Sequence, residues 1–567
     1  MESADGQQRW DTGSPRRSPL DVIMSQIRRK CTVSDRKPLV RLLSRTSDRT
    51  GIPEDNEMET QIQNSGFTEP ALDSERDAGW GRVCVFLQKL GKKADSQSLS
   101  LAHCDLTTTD LLELATLLQC LPLLEEVDLS WNKLIGGCLH ALTSHLQYVG
   151  GIRTLKLCSC RLNTDDLTAL GDALESVPLL ENLDLSWNSG VGGGALQHLL
   201  GKLPPGLRGL HLVACHLTAP DTVALGGMVS VLSRLSVLDV SWNPLLTQKS
   251  VVDNVDGGFE KLAASLSHAT SLTALRLQAC GLTSTSLHAL GGSVRRLPSV
   301  RELDLSCSKE LGGGLTHIHT HLSLLTRLES LDLHLCSLTH RDLEVLIQVL
   351  PSLTALTDLD VSSNKEVGGM VHPLVSALPL TQMRHLPLNS CSLNEESFTA
   401  LALAVPYLHS LDVSWCKVVG GRLALLLDAL QLSVILELRL SSCELTTEDL
   451  QHLAAVCRHG CLSSLRVLDL SYNSLVSNNG WATLFTAGGL GSLEDIDISL
   501  RPLTSGPSAA WLPALVGALP LLPVLARLAV QRWTFSLQDK RLLDHSLKKR
   551  GILLEWDLTN QDSRLEE

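Results

Sequence analysis

The sequence predicts an α/β solenoid, a single long stack of units that each contain one strand and one helix. The first observation is a repeated segment, LDLSWN or a near copy, which first occurs inside LEEVDLSWNKLIGG at residues 124–137. Later copies occupy residues 183–188, 238–243, 359–364 and 468–473. The second observation is a different form, LxLxxCxL, which lies between these copies, for instance at residues 155–162. Asn-type and Cys-type units therefore alternate, and such a stack can run through 567 residues as one domain.

Each unit has one strand-centre position that is filled by leucine or an equivalent residue. Successive copies of this position are mostly 27 or 28 residues apart. They are Leu99, Val127, Leu155, Leu183, Leu210, Leu238, Leu275, Leu303, Leu331, Leu359, Leu386, Leu411, Leu438, Leu468, Ile496 and Leu528. This spacing is the period of the long leucine-rich repeat, in which a short strand precedes a helix. We therefore predict a leucine-rich repeat solenoid, or horseshoe, with a concave parallel β-sheet and helices on the outside.

The segment LxLxxN or LxLxxC predicts the interior of each unit. Its two leucines point into the core, and the asparagine or cysteine turns inward where the strand ends. A buried amide or thiol there can donate hydrogen bonds to backbone carbonyls that would otherwise lack partners. In the first unit Leu111, Leu114 and Leu117 follow at helical spacing, and Thr109 and Asp110 suit the N-cap of that helix.

Composition divides the chain into four parts. Residues 1–78 lack apolar periodicity and are predicted to be a mostly disordered N-terminal arm. Residues 79–98 are predicted to be a helical cap, 99–525 the repeat array, and 526–567 a degenerate last repeat with a C-terminal cap. Within the C-terminal cap, residues 552–558 are the expected last strand.

The N-terminal arm contains a basic block followed by an acidic block. Ser44, Thr46 and Ser47 lie beside Arg41 and Arg45 of the basic block. The arm is either a solvated tail or a docking segment regulated by phosphorylation, because a phosphate there would reverse the local charge.

One unit is about nine residues longer than its neighbours. The step from Leu238 to Leu275 contains the surplus segment PLLTQKSVVDNVDGG, which has the composition of a loop. We expect this loop on the rim where strands lead into helices, as either a binding element or a tolerated insertion.

Seven of the sixteen cysteines occupy one position of the Cys-type unit. They are Cys104, Cys160, Cys215, Cys280, Cys336, Cys391 and Cys443. Equivalent positions two units apart are separated by about 10 Å, whereas a disulfide requires Cα atoms within roughly 7 Å. We therefore expect buried thiols, which indicate a reducing compartment and a cytoplasmic location. The N-terminal segment MESADGQQRWDTG also lacks the apolar core of a signal peptide.

Charge and hydropathy exclude two classes of partner. The formal net charge of −13 argues against nucleic-acid binding, which requires a basic face. The longest apolar run, residues 512–525, contains Pro513, Pro520 and Pro523, so we interpret it as a helix that ends before a strand. We predict no nucleic-acid partner and no membrane span.

Motifs for catalysis are absent from the sequence. It contains no phosphate-binding glycine loop with its lysine, no G-x-S-x-G and no H-E-x-x-H. The glycine pairs that recur after the LDLSWN segments, such as Gly136 and Gly137, are explained by a tight turn into the helix. Cys457, His459 and Cys461 offer only three metal ligands near a helix end. We therefore predict no enzymatic activity, no cofactor and no metal.

The alternation of 28-residue units that end in Cys with units that end in Asn resembles the ribonuclease-inhibitor type of leucine-rich repeat. The resemblance extends over residues 99–537. It implies a horseshoe, a cytosolic location and protein binding through the concave face. It does not imply that a ribonuclease is the ligand.

The concave face is the predicted binding surface, and its first feature is a ladder of charged residues between the two strand leucines. Neighbouring strands are only about 4.8 Å apart, so these side chains are lateral neighbours, expected to be exposed. Acids and bases alternate along most of the ladder, which is explained by mutual compensation. The alternation fails at Asp304, Asp332 and Asp360 and again at Asp469 and Asp497. These carboxylates either rely on solvation or contact a basic partner.

The second feature is a ladder of aromatic residues. Trp131, Trp187, Trp242, Trp415 and Tyr472 each lie immediately before the inward Asn or its Cys equivalent. Exposed tryptophan is typical of protein interfaces, because it removes a large area from water at little cost in rotamer entropy. The alternative is that each ring covers the neighbouring turn. A purely structural ring would also be expected at positions 307 and 363, which hold cysteine and serine.

These features predict a non-enzymatic scaffold or adaptor that binds another protein in its concave face. Two alternatives follow from the resemblance. The first is a GTPase activator of leucine-rich repeat type, which would require a rim Arg or Asn and an acidic tail. The second is a ribonuclease inhibitor. The sequence does not identify the protein partner.

Overall fold

A computed structural model describes residues 71–93, 95–248, 258–430, 434–501 and 508–556, with side chains from residue 79 onward. Most of the predicted N-terminal arm and the centre of the inserted loop lie outside the described residues. The first helix, α1, spans Ala71–Lys89 and so begins eight residues before the predicted boundary at residue 79. Glu, Arg and Ala in its first turns favour a helix without giving an apolar period, which is why periodicity placed the boundary later.

Short strands line one side of the stack of units. Strands β1 to β16 are Ser98–Ser100, Glu126–Asp128, Thr154–Lys156, Asn182–Asp184, Gly209–His211, Val237–Asp239, Ala274–Arg276, Glu302–Asp304, Ser330–Asp332, Asp358–Asp360, Ser410–Asp412, Glu437–Arg439, Val467–Asp469, Asp495–Asp497, Arg527–Ala529 and Leu553–Glu555. In the described part of the chain they form a 10-stranded and a 6-stranded sheet, each in chain order. All pairs are parallel, and His385 bridges Asp358 of β10 and Ser410 of β11. The two sheets are therefore one continuous ladder.

Fifteen of the sixteen predicted leucine positions are strand centres. The exception is Leu386, where the chain forms only the bridge at His385, because Pro387 has no N–H to donate to a strand ladder. Leu99 pairs with Val127, and Leu303 pairs with Leu331, in the register that the repeat spacing requires. The predicted last strand is present as β16, whose Leu554 pairs with Leu528. The leucine-rich repeat solenoid predicted from the sequence is thus confirmed.

The helices lie on the other side of the units. After α1, helices α2 to α17 are Thr108–Leu117, His140–Thr143, Thr164–Ala173, Leu196–Leu200, Ala219–Val231, Gly258–Leu266, Ser284–Val294, His319–Leu322, His340–Val349, Val371–Ala377, Glu395–Leu401, Ala424–Leu427, Thr447–Arg458, Asn478–Thr486, Leu512–Ala518 and Leu537–Lys548. The N-cap of α2 is Thr107, not Thr109 or Asp110, and Asp110 is the third helical residue of a capping box.

The long apolar run at residues 512–525 forms α16 and a following 3₁₀ turn, Leu519–Leu521, before β15 begins. Pro513 and Pro520 lie at the starts of these two helical segments, where a missing N–H is tolerated, and Pro523 lies in the turn that follows them. In the ranges that the structure describes, no helix combines the length and the apolar character needed to cross a bilayer.

A buried asparagine joins each Asn-type unit to the unit before it. The Asn188 amide donates to the carbonyls of Leu157 and Leu185, both at 2.8 Å. Its Oδ1 accepts from the backbone N–H groups of Cys160 at 2.9 Å and Leu162 at 3.1 Å. These bonds satisfy backbone groups that the turn leaves without partners, as the sequence predicted.

The recurring cysteine takes over the donor part of this role in the Cys-type unit. All seven thiols are buried, and the Cys160 Sγ donates to the Leu129 carbonyl at 3.2 Å. Burial raises the pKa of the Cys160 thiol to about 12, with a smaller opposing contribution from a backbone hydrogen bond. The thiolate is therefore suppressed near neutral pH, which makes these cysteines structural.

The recurring glycine pairs connect units as well as forming turns. A Cβ on Gly136 would collide with the backbone carbonyl of Arg161 in the following unit. Gly137 has φ +81°, and its N–H donates to the Asp166 carboxylate at 2.7 Å. Asp166 also accepts from Asn163 N–H at the start of α4. The same arrangement recurs with buried carboxylates at Asp221, Asp342 and Asp449. A tight turn explains only part of the glycine requirement, because close contact with the next unit explains the rest.

We expect Asn188→Ala to lower the free energy of unfolding by about 3 kcal/mol, because it removes buried hydrogen bonds on both sides of a unit boundary. Asn188→Cys should lower the free energy of unfolding by about half as much. A thiol already occupies the equivalent position at Cys416, where its Sγ donates to the Leu388 carbonyl. Urea unfolding followed by circular dichroism measures both. Equal losses for the two variants would contradict the role of the side-chain donor.

Candidate protein-interaction face

The side of the sheet that faces away from the core, here called the strand face, carries two rows of side chains. The ladder row is the third residue of each strand, and the second row is the first residue. The ladder row has the predicted lateral neighbours, since Asp128 pairs with Lys156 and Lys156 with Asp184. The second row was missed, although the same strand alternation places it two residues earlier.

The ladder aspartates are half-buried, contrary to the expectation that this position is exposed, and Asp239 is only 8% exposed. The reason is a local hydrogen bond: the backbone N–H two residues later donates to the carboxylate. Ser186 donates to Asp184 at 2.9 Å, and His334 donates to Asp332 at 2.8 Å. Each such aspartate therefore stabilises the turn after its own strand.

Charge compensation involves the second row as well as the ladder. Lys156 Nζ lies 2.6 Å from Glu126 Oε1, and this hydrogen bond is the largest contribution that raises the pKa of Lys156. Arg276 binds Glu302 at 2.6 Å and Asp239 at 3.6 Å. The predicted alternation of acids and bases within one row is therefore only part of the compensation.

Asp304, Asp332 and Asp360, here called the acidic triplet, are direct neighbours on β8, β9 and β10. Within the described residues none of the three forms an ion pair. Burial is the main cause that raises the pKa of Asp332 to about 7, and the charges of Asp304 and Asp360 raise it further. Burial also raises the pKa of Asp304. The repulsion expected from the sequence is thus present in the structure.

Asp469 and Asp497 are also direct neighbours, but their surroundings differ. Arg527 of the second row lies 3.4 Å from Asp497 and 2.7 Å from Asp495. Arg527 is thus a cation within the chain itself. The two alternatives drawn from the sequence, solvation or a basic partner, did not include it, because only the ladder row had been considered. Burial and the charge of Asp497 nevertheless raise the pKa of Asp469.

The aromatic ladder occupies a strained backbone position. The five residues share a left-handed conformation, with φ between 61° and 67°. They are Trp131, Trp187, Trp242, Trp415 and Tyr472. The equivalent position in Cys-type units has the same conformation, mostly with small residues such as Ser159 at φ 54° and Ala214 at φ 53°, but with Leu335 in one unit and His103 in another. The backbone therefore does not require an aromatic side chain there.

The aromatic rings differ in how they are held. Trp131 stacks on His103 with ring centroids 5.3 Å apart, and Trp242 Nε1 donates to Gln278 Oε1 at 2.8 Å. Trp415 is 57% exposed and lies 6.2 Å from the Tyr472 ring. The Trp187 ring has no aromatic or hydrogen-bond partner among the residues that the structure describes.

The aromatic ladder is interrupted where the acidic triplet lies. Cys307 and Ser363 occupy the aromatic position with φ values of 56° and 58°. They follow Asp304 and Asp360 on the same two units, and Leu335 occupies the position after Asp332. The residues that adjoin the triplet at this position are therefore not aromatic. The strand face thus has aromatic positions on both sides of an acidic centre.

Across residues with described positions, no group of three or more His, Cys, Asp or Glu side chains has an arrangement that could hold a metal ion.

The repeat architecture and this face define a leucine-rich repeat protein of the alternating type. The chain is 30% identical to ribonuclease inhibitor of Sus scrofa over 440 residues, which cover 75% of this chain and 91% of that protein. It is 28% identical to ribonuclease inhibitor of Mus musculus over 412 residues, which cover 70% and 86% of the two chains. The chain belongs to the ribonuclease-inhibitor family of leucine-rich repeat proteins.

Two other comparisons were made. An internalin from Listeria monocytogenes is similar in structure with a TM-score of 0.41 at 17% identity, covering 69% of this chain and 89% of the internalin. No protein-family model matches the sequence.

We expect Asp332→Asn to stabilise the fold at pH 8 by about 2 kcal/mol and to have little effect at about pH 3. The pKa of Asp332 is raised from 3.8 to about 7 in the folded state, so the stability that its protonated form gives is fully present below the unfolded pKa and is lost as the pH rises to about 7. Asparagine keeps an acceptor for His334 N–H and removes the charge.

Urea unfolding at the two pH values measures this difference. Asp128→Asn is the matched control, because Asp128 accepts the same bond from Ser130 N–H and lies beside Lys156 rather than another carboxylate. A gain of equal size in the control, or no pH dependence in Asp332→Asn, would contradict the repulsion within the acidic triplet.

Proposed function

We propose that this chain is a non-enzymatic scaffold or adaptor that binds another protein with its strand face. The observation that carries the proposal is the aromatic ladder. Ser and Ala adopt the same left-handed conformation in neighbouring units, so folding alone does not explain four tryptophans and a tyrosine there. Large rings at the edge of a rigid sheet suit an interface, because their burial removes much apolar area from water.

The proposal assigns different roles to the five rings. Trp187 and Trp415 are the strongest anchors, since one lacks a ring partner within the described structure and the other is 57% exposed. Trp131 and Trp242 are fixed by His103 and Gln278, which reduces the entropy that they would lose on binding. Two rings held in place by neighbouring side chains, together with two anchor rings, favour a partner of defined shape.

The acidic triplet indicates the charge of the partner. A cation from the partner would relieve the repulsion among Asp304, Asp332 and Asp360, and binding would then favour the ionised carboxylates. Asp469 and Asp497 are weaker candidates for such contacts, because Arg527 already offsets Asp497. We therefore propose a partner with a basic centre and apolar flanks. The buried thiols support a reducing compartment, such as the cytoplasm, as the place where the two proteins meet.

Replacing Trp187 and Trp242 with alanine should reduce binding to the principal partner at least tenfold, because two interface rings are lost. The partner is first recovered by affinity capture under reducing conditions, and affinities are then measured with purified proteins. Tyr148→Ala with Tyr407→Ala is the matched control, because these rings are 47% and 40% exposed and lie outside the strands.

Urea unfolding distinguishes an interface role from a packing role. Tighter or unchanged binding by the Trp187 and Trp242 variant would contradict the proposal. Collapse of cooperative unfolding in that variant would show that the rings serve the fold.

Ribonuclease inhibition is a second candidate function, favoured by 30% identity over 91% of the porcine inhibitor. Its test is a titration of the purified, reduced protein against a pancreatic-type ribonuclease. If this chain shares that activity, ribonuclease turnover should fall stoichiometrically, and the Trp187 and Trp242 variant should inhibit at least tenfold less well. Full turnover at a tenfold excess of the protein would exclude this candidate.

A further inference from the structure

The strand face contains a polar depression on its N-terminal half, apart from the acidic triplet. It has a volume of about 300 Å³ and spans β2 to β5. Its lining residues are Glu126, Thr154, Leu155, Lys156, Asn182, Leu183, Asp184 and His211. A volume of this size accommodates one protruding side chain of a bound protein.

The depression exists because the side chains of the second row are small on these strands. Thr154 and Asn182 are smaller than Glu126 on the preceding strand, and Gly209 on the following strand has no side chain. A Cβ at Gly209 would lie 2.5 Å from Asn182 Oδ1, so glycine leaves the amide uncovered. Lys156 and His211 of the ladder row complete its lining.

Some polar groups of the depression already have hydrogen-bond or ion-pair partners, and others do not. Lys156 is held by Glu126 at 2.6 Å, so its positive charge is already neutralised. Asp184 uses Oδ1 to accept the Ser186 N–H at 2.9 Å. Among described residues, its Oδ2 accepts no hydrogen bond, and the side chains of Thr154 and Asn182 make none. Asp184 lies between Lys156 and His211 on the neighbouring strands but, within the described residues, forms no ion pair with either. The depression therefore offers one carboxylate oxygen without a hydrogen bond and two further oxygen acceptors.

This set of acceptors selects a particular side chain. Guanidinium presents several N–H donors in a planar fork, which can reach a carboxylate and a neighbouring amide oxygen together. A carboxylate ligand would be repelled by Asp184, and an apolar side chain would leave its acceptors without partners.

We infer that this depression is a binding site for one arginine side chain of the partner protein, with Asp184 and Asn182 as its acceptors. The inference rests on the proposed protein-binding function and adds a specific chemical requirement to it. Together with the acidic triplet, it gives the partner two separate basic contacts along the strand face.

The test uses the full chain and N-acetyl-arginine amide as the probe. Ligand-observed saturation-transfer NMR measures its millimolar binding. N-acetyl-citrulline amide has nearly the same shape without the charge and should bind at least fivefold more weakly. Asp184→Asn should also weaken the arginine probe at least fivefold, because it removes the charge and keeps an acceptor for Ser186 N–H.

Asp412→Asn is the matched control, because Asp412 accepts the equivalent bond from Ser414 N–H at 2.9 Å but lies on β11, outside the depression. Its affinity for the probe should equal that of the wild type. Asn182→Leu is a second variant that fills the depression and should also weaken binding at least fivefold.

Three outcomes would overturn the arginine site. They are no binding of the arginine probe at a concentration 20-fold above about 1 mM, equal affinity for the citrulline probe, and an equal loss of affinity in Asp412→Asn. These outcomes are independent of the tryptophan experiment. Reduced partner binding by the Trp187 and Trp242 variant with no arginine binding would retain the proposed function and remove only this site.

Discussion

The structure depends on side chains that bond backbone groups across unit boundaries. At most strand ends, a buried asparagine or thiol reaches carbonyls that no secondary structure satisfies, as Asn188 does for Leu157 and Leu185. Without these bonds, each turn would bury unpaired polar groups at a cost of about 1–3 kcal/mol each. Because the bonds join adjacent units, they fix the spacing of the strands and hence the spacing of side chains on the strand face.

A second set of links acts between the strand ends and the helices. Asp166 caps the start of α4 while accepting N–H groups from the turn of the preceding unit. The glycine beside that turn allows the two backbones to approach closely. The sequence signals for this link were the T/N-x-x-D capping pattern and the glycine pairs. Their joint role became apparent only when adjacent units were placed side by side.

The sequence predicted the repeat positions and the lateral neighbours well, because both follow from a fixed period and a two-residue strand alternation. It predicted the surroundings of the charged residues less well. Arg527 offsets Asp497 from a row that had not been considered, and local backbone bonds half-bury the ladder aspartates. The polar depression was not predicted either, because it arises from small residues on three consecutive strands that are far apart in the chain.

The central claim is that the strand face, and not the helical side, contacts the partner. Hydrogen–deuterium exchange of the chain with and without its purified partner tests this most directly. The account predicts slower exchange in the turns that follow the strands, at Trp187, at Trp242 and directly after β8, β9 and β10. Protection confined to the helices, with these turns unchanged, would contradict it.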